Sequence, residues 1–307
     1  MSGIAAEDSR HYTCAMFRGT FTALVTPFKK GEVDLAAFEK LIEAQIAGGV
    51  DGLVAVGTTG ESPTLSHSER EHVIGATVKM AKGRCKVLAG TGSNSTQHAI
   101  DDTKAAEKLG VDGALIVAPY YNKPSQEGLF RHFQATAQAT SLPIMLYNIP
   151  GRCAVDINAD TVVRLAKACP NIVSIKEASG SVERVGELRI RLPESFTILS
   201  GDDSLTLPFM AAGAVGVVSV ASNLLPSDVS SLVRAFAAGD VNAARKIHGR
   251  MFAIFKDLFI EPNPVPVKTA LSWRDAMSAE VRLPLCEMSE ANEARLRKTL
   301  EAFEQSK

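Results

Sequence analysis

The sequence predicts a (β/α)8 barrel with a helical region after it. Eight short runs rich in Val, Ile, Leu and Ala occur along the chain, their starts lie roughly 20–34 residues apart, and helical patterns fill the gaps. The sequence GVDG also recurs, at Gly49–Gly52 and Gly110–Gly113, each time between a helix end and a strand start. A doubly wound sheet is the second choice, because it usually has fewer strands and a glycine-rich first turn.

The eight runs have the composition of buried parallel strands. They are aliphatic throughout and end in Gly, Pro, Asn or Asp, as strands covered on both faces do. They begin at Thr20, Gly52, Lys86, Gly113, Pro143, Ile172, Phe196 and Gly216.

Helix start signals precede several of the intervening segments. Asp34, Ser95 and Ser125 can each cap a helix, and Ser66 with Glu69 has the spacing of a capping box. In the helix after Asp34, the apolar side chains are expected to face the barrel together; they are Leu35, Phe38, Leu41, Ile42 and Ile46.

The chain is expected to divide into three parts. We expect residues 1–16 to form a flexible lead-in, residues 17–239 to form the catalytic barrel, and residues 240–307 to form a C-terminal helical region. Strand signals end near residue 240, after which the helical patterns Val241–Leu258, Pro264–Trp273 and Ser289–Phe303 remain.

Composition and charge exclude several classes of function. Thirty-three Lys and Arg residues against 34 Asp and Glu residues give a net charge of -1, which favours neither nucleic acid nor anionic membranes as partners. Five scattered Cys residues without a CxxC motif indicate reduced thiols in the cytoplasm. No signal peptide or membrane span is expected, since the most apolar stretch, Ala211–Pro226, is short and interrupted. The six His residues form no metal-binding motif, and His132 and His248 are expected on helix surfaces.

Lys176 is the one lysine within a strand near its carboxyl end, where barrels of this type carry their chemistry. Alternation points Ser174 and Lys176 into the barrel, and Val173 and Ile175 out towards the helices. Two interpretations remain open. The ammonium could pair with a carboxylate in the barrel, or burial could lower its pKa and release a neutral amine that attacks a ketone.

Other strand ends offer groups that would assist such an amine. Tyr147 ends the preceding strand, and Thr59 and Tyr121 could extend a proton relay from it, although packing would explain each tyrosine equally well. The turn GTTGES, with Thr58 and Thr59, offers consecutive N–H groups to a carboxylate, or is an ordinary turn. Arg152 could bind a second carboxylate or form a surface salt bridge.

Six motifs, taken together and in this order, carry a family resemblance over roughly residues 17–303: GTTGES, APYYNKPSQEGL, YNIPGR, IKEASG, LSGDD and NPVPVK. The sequence resembles the pyruvate-dependent class I aldolases related to dihydrodipicolinate synthase and N-acetylneuraminate lyase, and the synthase branch most. The resemblance implies that Lys176 forms a Schiff base with pyruvate, without a metal or organic cofactor. It implies a proton relay formed by Tyr147, Thr59 and, from a neighbouring subunit, Tyr121. It also implies that Thr58 and Thr59 bind the pyruvate carboxylate and that Arg152 binds the carboxylate of the second substrate. The backbone of Gly201 and Val218 would line the pocket.

For the synthase branch, the resemblance implies condensation of pyruvate with L-aspartate 4-semialdehyde in the diaminopimelate–lysine pathway. It also implies a homotetramer built as a dimer of dimers. A related pyruvate aldolase or dehydratase for another 2-oxo sugar acid is the first alternative, and a catalytically silent binding barrel is the second.

The resemblance extends in part to the cleft where the family binds lysine as a feedback inhibitor. Four residues match that cleft: Ser62, His67, Asn94 and Tyr120. His98 and Arg70 depart from it, since an acidic residue usually stands at the position of His98. A lysine ammonium needs an acidic partner, so we expect weak or absent inhibition.

Overall fold

The computed structural model describes residues 17–306 and contains the predicted closed barrel of eight parallel strands. The lead-in predicted for residues 1–16 lies outside the described residues, as does Cys14. The barrel strands are β1 Gly19–Ala23, β4 Gly52–Ala55, β5 Lys86–Gly90, β6 Gly113–Val117, β7 Ile144–Asn148, β8 Ile172–Glu177, β9 Thr197–Ser200 and β10 Gly216–Ser219. All eight coincide with the predicted runs, and the barrel fold is confirmed.

Neighbouring strands in the barrel follow one another along the chain, and pairing of β1 with β4 and with β10 closes the cylinder. Two further strands, β2 Phe28–Lys29 and β3 Glu32–Val33, form a small antiparallel hairpin after β1. This order is the one that a chain of successive right-handed βα units produces.

Helices separate the strands and continue beyond the last one. Between barrel strands lie α1 Leu35–Ala47, α2 His67–Ala81, α3 Thr96–Lys108, α4 Gln126–Gln138, α5 Pro150–Cys153, α6 Ala159–Ala168, α7 Val182–Arg191 and α8 Thr206–Ala211. After β10 lie α9 Pro226–Ala237, α10 Val241–Asp257, α11 Val265–Ser272 and α12 Glu290–Gln305. The four predicted caps are confirmed, including the reciprocal capping box of Ser66 and Glu69. No helix in the described part of the chain is long and apolar enough to cross a bilayer.

The predicted orientations of Leu35 and His132 are wrong, and that of His248 is only partly right. Leu35 is 43% exposed, because it opens α1 directly after the Asp34 cap while Phe38 and Ile42 face the barrel. His132 is buried on α4: its Nδ1 lies 2.9 Å from Thr96 Oγ1 of the neighbouring α3, which covers that helix face. His248 is half-buried, with its ring against Phe252 and Phe255.

Val173 does not point outward, because a β-bulge interrupts the pairing of β7 with β8. Ile144 pairs with Ile172 and Met145 pairs with Ser174, so Val173 has no partner of its own and packs against the interior cluster of the barrel. Beyond the bulge the alternation is as predicted, with Ile175 in the outer core. The bulge leaves Tyr147 directly opposite Lys176 in the register of the two strands.

Apolar side chains close the barrel interior at its amino-terminal end. Phe17 and Phe21 meet edge to face there, with ring centroids 6.0 Å apart, and both are fully buried. They belong to an interior cluster that also contains Leu88, Met145 and Leu199. The barrel is therefore a packed core at that end.

The helices after the barrel pack back onto it. α10 packs against α9 and α12, and nearly every residue of α11 is buried. The helical patterns predicted after residue 240 are confirmed, while the division at residues 239 and 240 stays a prediction. Because α11 is buried, its polar side chains must find partners inside the protein.

Candidate active site

A small chamber lies at the carboxyl ends of the barrel strands and opens into an outer cleft. The chamber has a volume of about 40 Å³, and its lining includes Lys176, Tyr147, Thr58 and Thr59. The outer cleft measures about 240 Å³ and shares Thr58 with the chamber. The structure therefore brings together four side chains that the sequence predicts at the ends of three strands.

Lys176 is buried in this chamber without a counterion. It is 5% exposed, its Nζ lies 4.1 Å from the centre of the Tyr147 ring, and it forms no ion pair within residues 17–306. Burial lowers the pKa of Lys176 to about 7; the positive charge of Arg152 lowers it further, and the negative charge of Asp203 opposes both. A large fraction of Lys176 is therefore a neutral amine near neutral pH.

The alternative of a structural ion pair for Lys176 is wrong. The adjacent carboxylate, Glu177, turns to the other face of β8, where its Oε2 accepts a hydrogen bond of 2.7 Å from Arg184 Nε. Since neighbouring residues of a strand point to opposite faces, Glu177 cannot neutralise Lys176.

Gly201 follows β9 and borders the stem of Lys176. A Cβ atom at this position would lie 3.1 Å from Lys176 Cε and 2.7 Å from Ala178 Cβ, so a larger residue would displace the lysine. Val218, on β10, is buried in the interior cluster of the barrel. Of these two predicted residues, Gly201 thus shapes the space around the amine and Val218 belongs to the packed interior.

The turn after β4 presents two adjacent N–H groups. The carbonyl of Gly57 accepts hydrogen bonds from Gly60 and Ser62, and the carbonyl of Thr58 accepts one from Glu61. The N–H groups of Thr58 and Thr59 donate to no acceptor in the described part of the chain. Consecutive unused N–H groups form a concavity suited to an anion such as a carboxylate.

The two threonines of this turn have different partners. Burial raises the pKa of the Tyr147 phenol, and the positive charge of Arg152 and an interaction with the Thr58 side chain partly offset that rise. The Thr59 hydroxyl instead accepts a hydrogen bond of 2.9 Å from Asn263 Nδ2. The structure thus brings Thr58, rather than Thr59, to the Tyr147 hydroxyl.

Tyr121 does not contribute to the chamber of its own chain. Its side chain is 88% exposed, and its backbone has a φ of 75°, a left-handed conformation that is uncommon outside glycine. Tyr120, beside it, borders the outer cleft and is 39% exposed. Two consecutive exposed tyrosines therefore lie close to the mouth of the site.

Arg152 borders the outer cleft from the short helix α5, in the segment between β7 and α6. It is exposed, and its side chain has no hydrogen-bond or ion-pair partner among residues 17–306, so its guanidinium is free for an anion. Asn148, at the end of β7, holds the loop by donating to Asp156 Oδ1 over 2.7 Å and accepting from the N–H of Ile157 over 3.0 Å.

The predicted feedback residues are not all in one cleft. Ser62 and Tyr120 line the outer cleft together with Arg70, whose guanidinium lies 3.0 Å from Asp102. His67 is exposed and lies 3.3 Å from Glu71. Asn94 and His98 do not line the cleft; the carbonyl of Asn94 accepts a hydrogen bond from Asn122, and His98 is exposed on α3.

Sequence reasoning missed three buried polar residues around the site: Asp203, Asn263 and Lys268. Asp203 accepts hydrogen bonds from the Ser219 hydroxyl and from the N–H groups of Val220 and Ala221, and burial raises the pKa of its carboxyl. Asp203 belongs to the motif LSGDD, and Asn263 and Lys268 belong to NPVPVK. These two motifs could therefore have pointed to the three residues. Among the described residues, no group of three or more His, Cys, Asp or Glu side chains could hold a metal ion.

Comparisons with known proteins agree on one family. The model of the dihydrodipicolinate synthetase family matches residues 16–303. The chain is 52% identical to the 4-hydroxy-tetrahydrodipicolinate synthase of Aquifex aeolicus, over 94% of this chain and 98% of the relative. The structure of the synthase from Methylacidiphilum fumariolicum SolV superposes with a TM-score of 0.93 at 56% identity, covering 94% of this chain and 96% of the other. A dihydrodipicolinate synthase from Acinetobacter baumannii, solved in complex with pyruvate, is 44% identical with a TM-score of 0.91, covering 94% and 99%.

The low pKa of Lys176 predicts an unusual titration of its reactivity. Trace acetylation by acetic anhydride, followed by peptide mass spectrometry, should show a Lys176 rate that rises with pH to a midpoint near 7 and then levels off. An ordinary exposed lysine should keep gaining reactivity up to pH of about 10. A Lys176 rate that follows the ordinary lysines would contradict this.

Two variants should shift the midpoint of the Lys176 titration in opposite directions and so serve as controls for each other. Arg152→Gln removes a cation that favours the neutral amine, so it should raise the midpoint of Lys176. Asp203→Asn removes an anion that favours the ammonium, so it should lower the midpoint.

Proposed function

Because the chain belongs to the dihydrodipicolinate synthetase family, we infer that it is a lyase that condenses pyruvate with L-aspartate 4-semialdehyde to give 4-hydroxy-tetrahydrodipicolinate. The observation that carries this function is the buried, unpaired Lys176 amine beside the two unused N–H groups of Thr58 and Thr59. An amine and an anion cradle side by side suit a small 2-oxo acid.

The first step joins Lys176 to pyruvate. Neutral Nζ attacks the keto carbon, the keto oxygen takes up protons and leaves as water, and a protonated imine remains. The imine withdraws electrons, so the methyl group loses a proton and becomes an enamine carbon that attacks the aldehyde of the second substrate. The amino group of that substrate then adds to the imine carbon, which closes the ring and releases the Lys176 amine. We propose that Tyr147 carries protons to and from the oxygen in the first of these steps.

Two anion sites would hold the two substrates. We propose that the N–H groups of Thr58 and Thr59, with the Thr59 hydroxyl, bind the carboxylate of pyruvate. Arg152 would bind the carboxylate of L-aspartate 4-semialdehyde, since its planar guanidinium is free at the mouth of the cleft. The backbone at Gly201 and Val218 would line the space between them.

We propose that the proton relay runs from Tyr147 through Thr58 to Tyr121 of a neighbouring subunit. This differs from the relay expected from the sequence, in which Thr59 held the middle position. Thr58 is favoured because its side chain interacts with the Tyr147 hydroxyl, whereas the Thr59 hydroxyl is engaged by Asn263. The exposure of Tyr121 supports a homo-oligomer, for which we propose a dimer of dimers in the cytoplasm.

An assay panel tests the proposed reaction. With pyruvate fixed, kcat/KM for L-aspartate 4-semialdehyde should exceed that for sugar aldehydes by at least about 10²-fold, because only the former places its carboxylate on Arg152. Lys176→Ala should abolish turnover with every aldehyde, and Arg152→Gln should raise KM for the semialdehyde more than for any sugar aldehyde. A preference for a sugar aldehyde would favour a related aldolase, and no turnover with any aldehyde would favour a binding barrel.

Paired threonine variants test the relay. Thr58→Val should lower kcat by roughly 10²-fold, as should Tyr147→Phe, because both remove a proton carrier. Thr59→Val should mainly raise KM for pyruvate, because it removes a donor to the carboxylate. The opposite assignment of the two effects, measured by steady-state kinetics, would restore Thr59 to the relay.

Lysine should inhibit weakly or not at all. Arg70 contributes a cation to the cleft and already pairs with Asp102, and none of the residues that line the cleft offers a carboxylate to an incoming ammonium. Half inhibition should require millimolar lysine or more, which corresponds to a binding free energy weaker than about -4 kcal/mol. Half inhibition below about 0.1 mM would contradict this expectation.

A further inference from the structure

The helical region after the barrel contacts the turn that carries Thr58 and Thr59. We propose that Asn263, two residues before α11, and Lys268, within α11, are positioning residues that hold this turn in the shape that binds the carboxylate of the 2-oxo acid. The inference rests on the proposed function, because it assigns a role in binding the first substrate to residues that do not themselves touch the reacting atoms.

The turn needs external support because its ends are strained. Val56 and Glu61, which flank Gly57–Gly60, have φ values of 55° and 54° and so adopt the left-handed conformation. This conformation is unfavourable for a branched residue such as Val and persists only where surrounding contacts impose it. The N–H groups of Thr58 and Thr59 keep their direction only while both ends are held.

Lys268 holds the far end of the turn through a buried ion pair. Its Nζ donates to Glu61 Oε1 over 2.7 Å and to the carbonyl of Thr26 over 2.9 Å, and the side chains of the pair are 0% and 1% exposed. The other oxygen of Glu61 accepts a hydrogen bond of 3.0 Å from the N–H of Arg282. Glu61 is therefore fixed from two directions, both in the region after the barrel.

Thr26 connects the same lysine to the turn by a second route. The Thr26 hydroxyl donates to the carbonyl of Gly60 over 2.8 Å, while its own carbonyl accepts from Lys268. Lys268 Nζ also lies 4.3 Å from the centre of the Phe28 ring, so the charge is enclosed on all sides by described partners. Such enclosure makes the arrangement rigid, because each group would lose a partner if the turn moved.

Asn263 sets the direction of the Thr59 hydroxyl. Because Thr59 Oγ1 accepts from Asn263 Nδ2, its proton is free to donate to a bound carboxylate. Asn263 Oδ1 is buried and has no hydrogen-bond partner among residues 17–306, so the bond to Thr59 is the polar contact that its side chain makes. The residues are 204 positions apart in the chain, so this contact exists only in the folded protein.

Asn263→Asp tests this role with little change of shape. The carboxylate replaces a donor with an acceptor, so the Thr59 hydroxyl should donate to it and turn away from the substrate. The assay measures borohydride trapping at Lys176 with pyruvate and with pyruvamide, whose neutral amide lacks the carboxylate. The variant should need roughly tenfold more pyruvate for half-maximal trapping, with the pyruvamide value unchanged.

A second variant removes the ion pair without leaving a buried charge. Glu61→Gln with Lys268→Met replaces both partners by neutral side chains of similar size, which buried pairs tolerate better than loss of one partner. It should again raise the pyruvate concentration for half-maximal trapping about tenfold and leave the pyruvamide value unchanged. Arg295→Met is the matched control, since it breaks the ion pair with Asp257 that joins α10 and α12, away from the turn.

The outcomes separate this inference from the proposed function. If the unaltered protein forms no adduct with pyruvate at Lys176, the proposed function fails. If the unaltered protein forms the adduct and Asn263→Asp needs the same pyruvate concentration for half-maximal trapping, only the positioning role fails. Equal loss with pyruvate and pyruvamide would also overturn the positioning role, because it would indicate general damage to the site.

Discussion

The burial of one amine inside a closed barrel is the constraint on which the rest of the site depends. An ammonium enclosed without a counterion is disfavoured by several kcal/mol, and a lysine can escape that cost by releasing its proton. The barrel enforces the enclosure, since Phe17 and Phe21 fill its amino-terminal end and the nearest carboxylate along β8, Glu177, faces away. The unfavourable burial of the Lys176 ammonium therefore produces a neutral amine that can act as a nucleophile at neutral pH.

The groups that serve this amine come from different parts of the fold, each fixed by a separate interaction. Strand register sets Tyr147 opposite Lys176, and the strained turn after β4 supplies the anion cradle. The region after the barrel holds that turn through Lys268 and Asn263. The helical region is therefore better understood as part of the site than as an appendage beside it.

Local patterns in the sequence were sufficient to predict the strands, the helix caps and the inward direction of Lys176. They could not predict the bulge at Val173, which depends on pairing between two strands. Local patterns also could not predict the partners of Thr58 and Thr59, because Tyr147 and Asn263 lie far from the turn along the chain. Asn263 and Lys268 lie more than 200 residues from their partners, and Tyr121 concerns a second chain, so no local pattern could assign them.

A crystal structure of the protein grown with pyruvate would test the central claim most directly. We expect continuous density from Lys176 Nζ to the former keto carbon, with the carboxylate on the N–H groups of Thr58 and Thr59. Unbound pyruvate, or a carboxylate held by Arg152 with no covalent bond to the amine, would contradict the account.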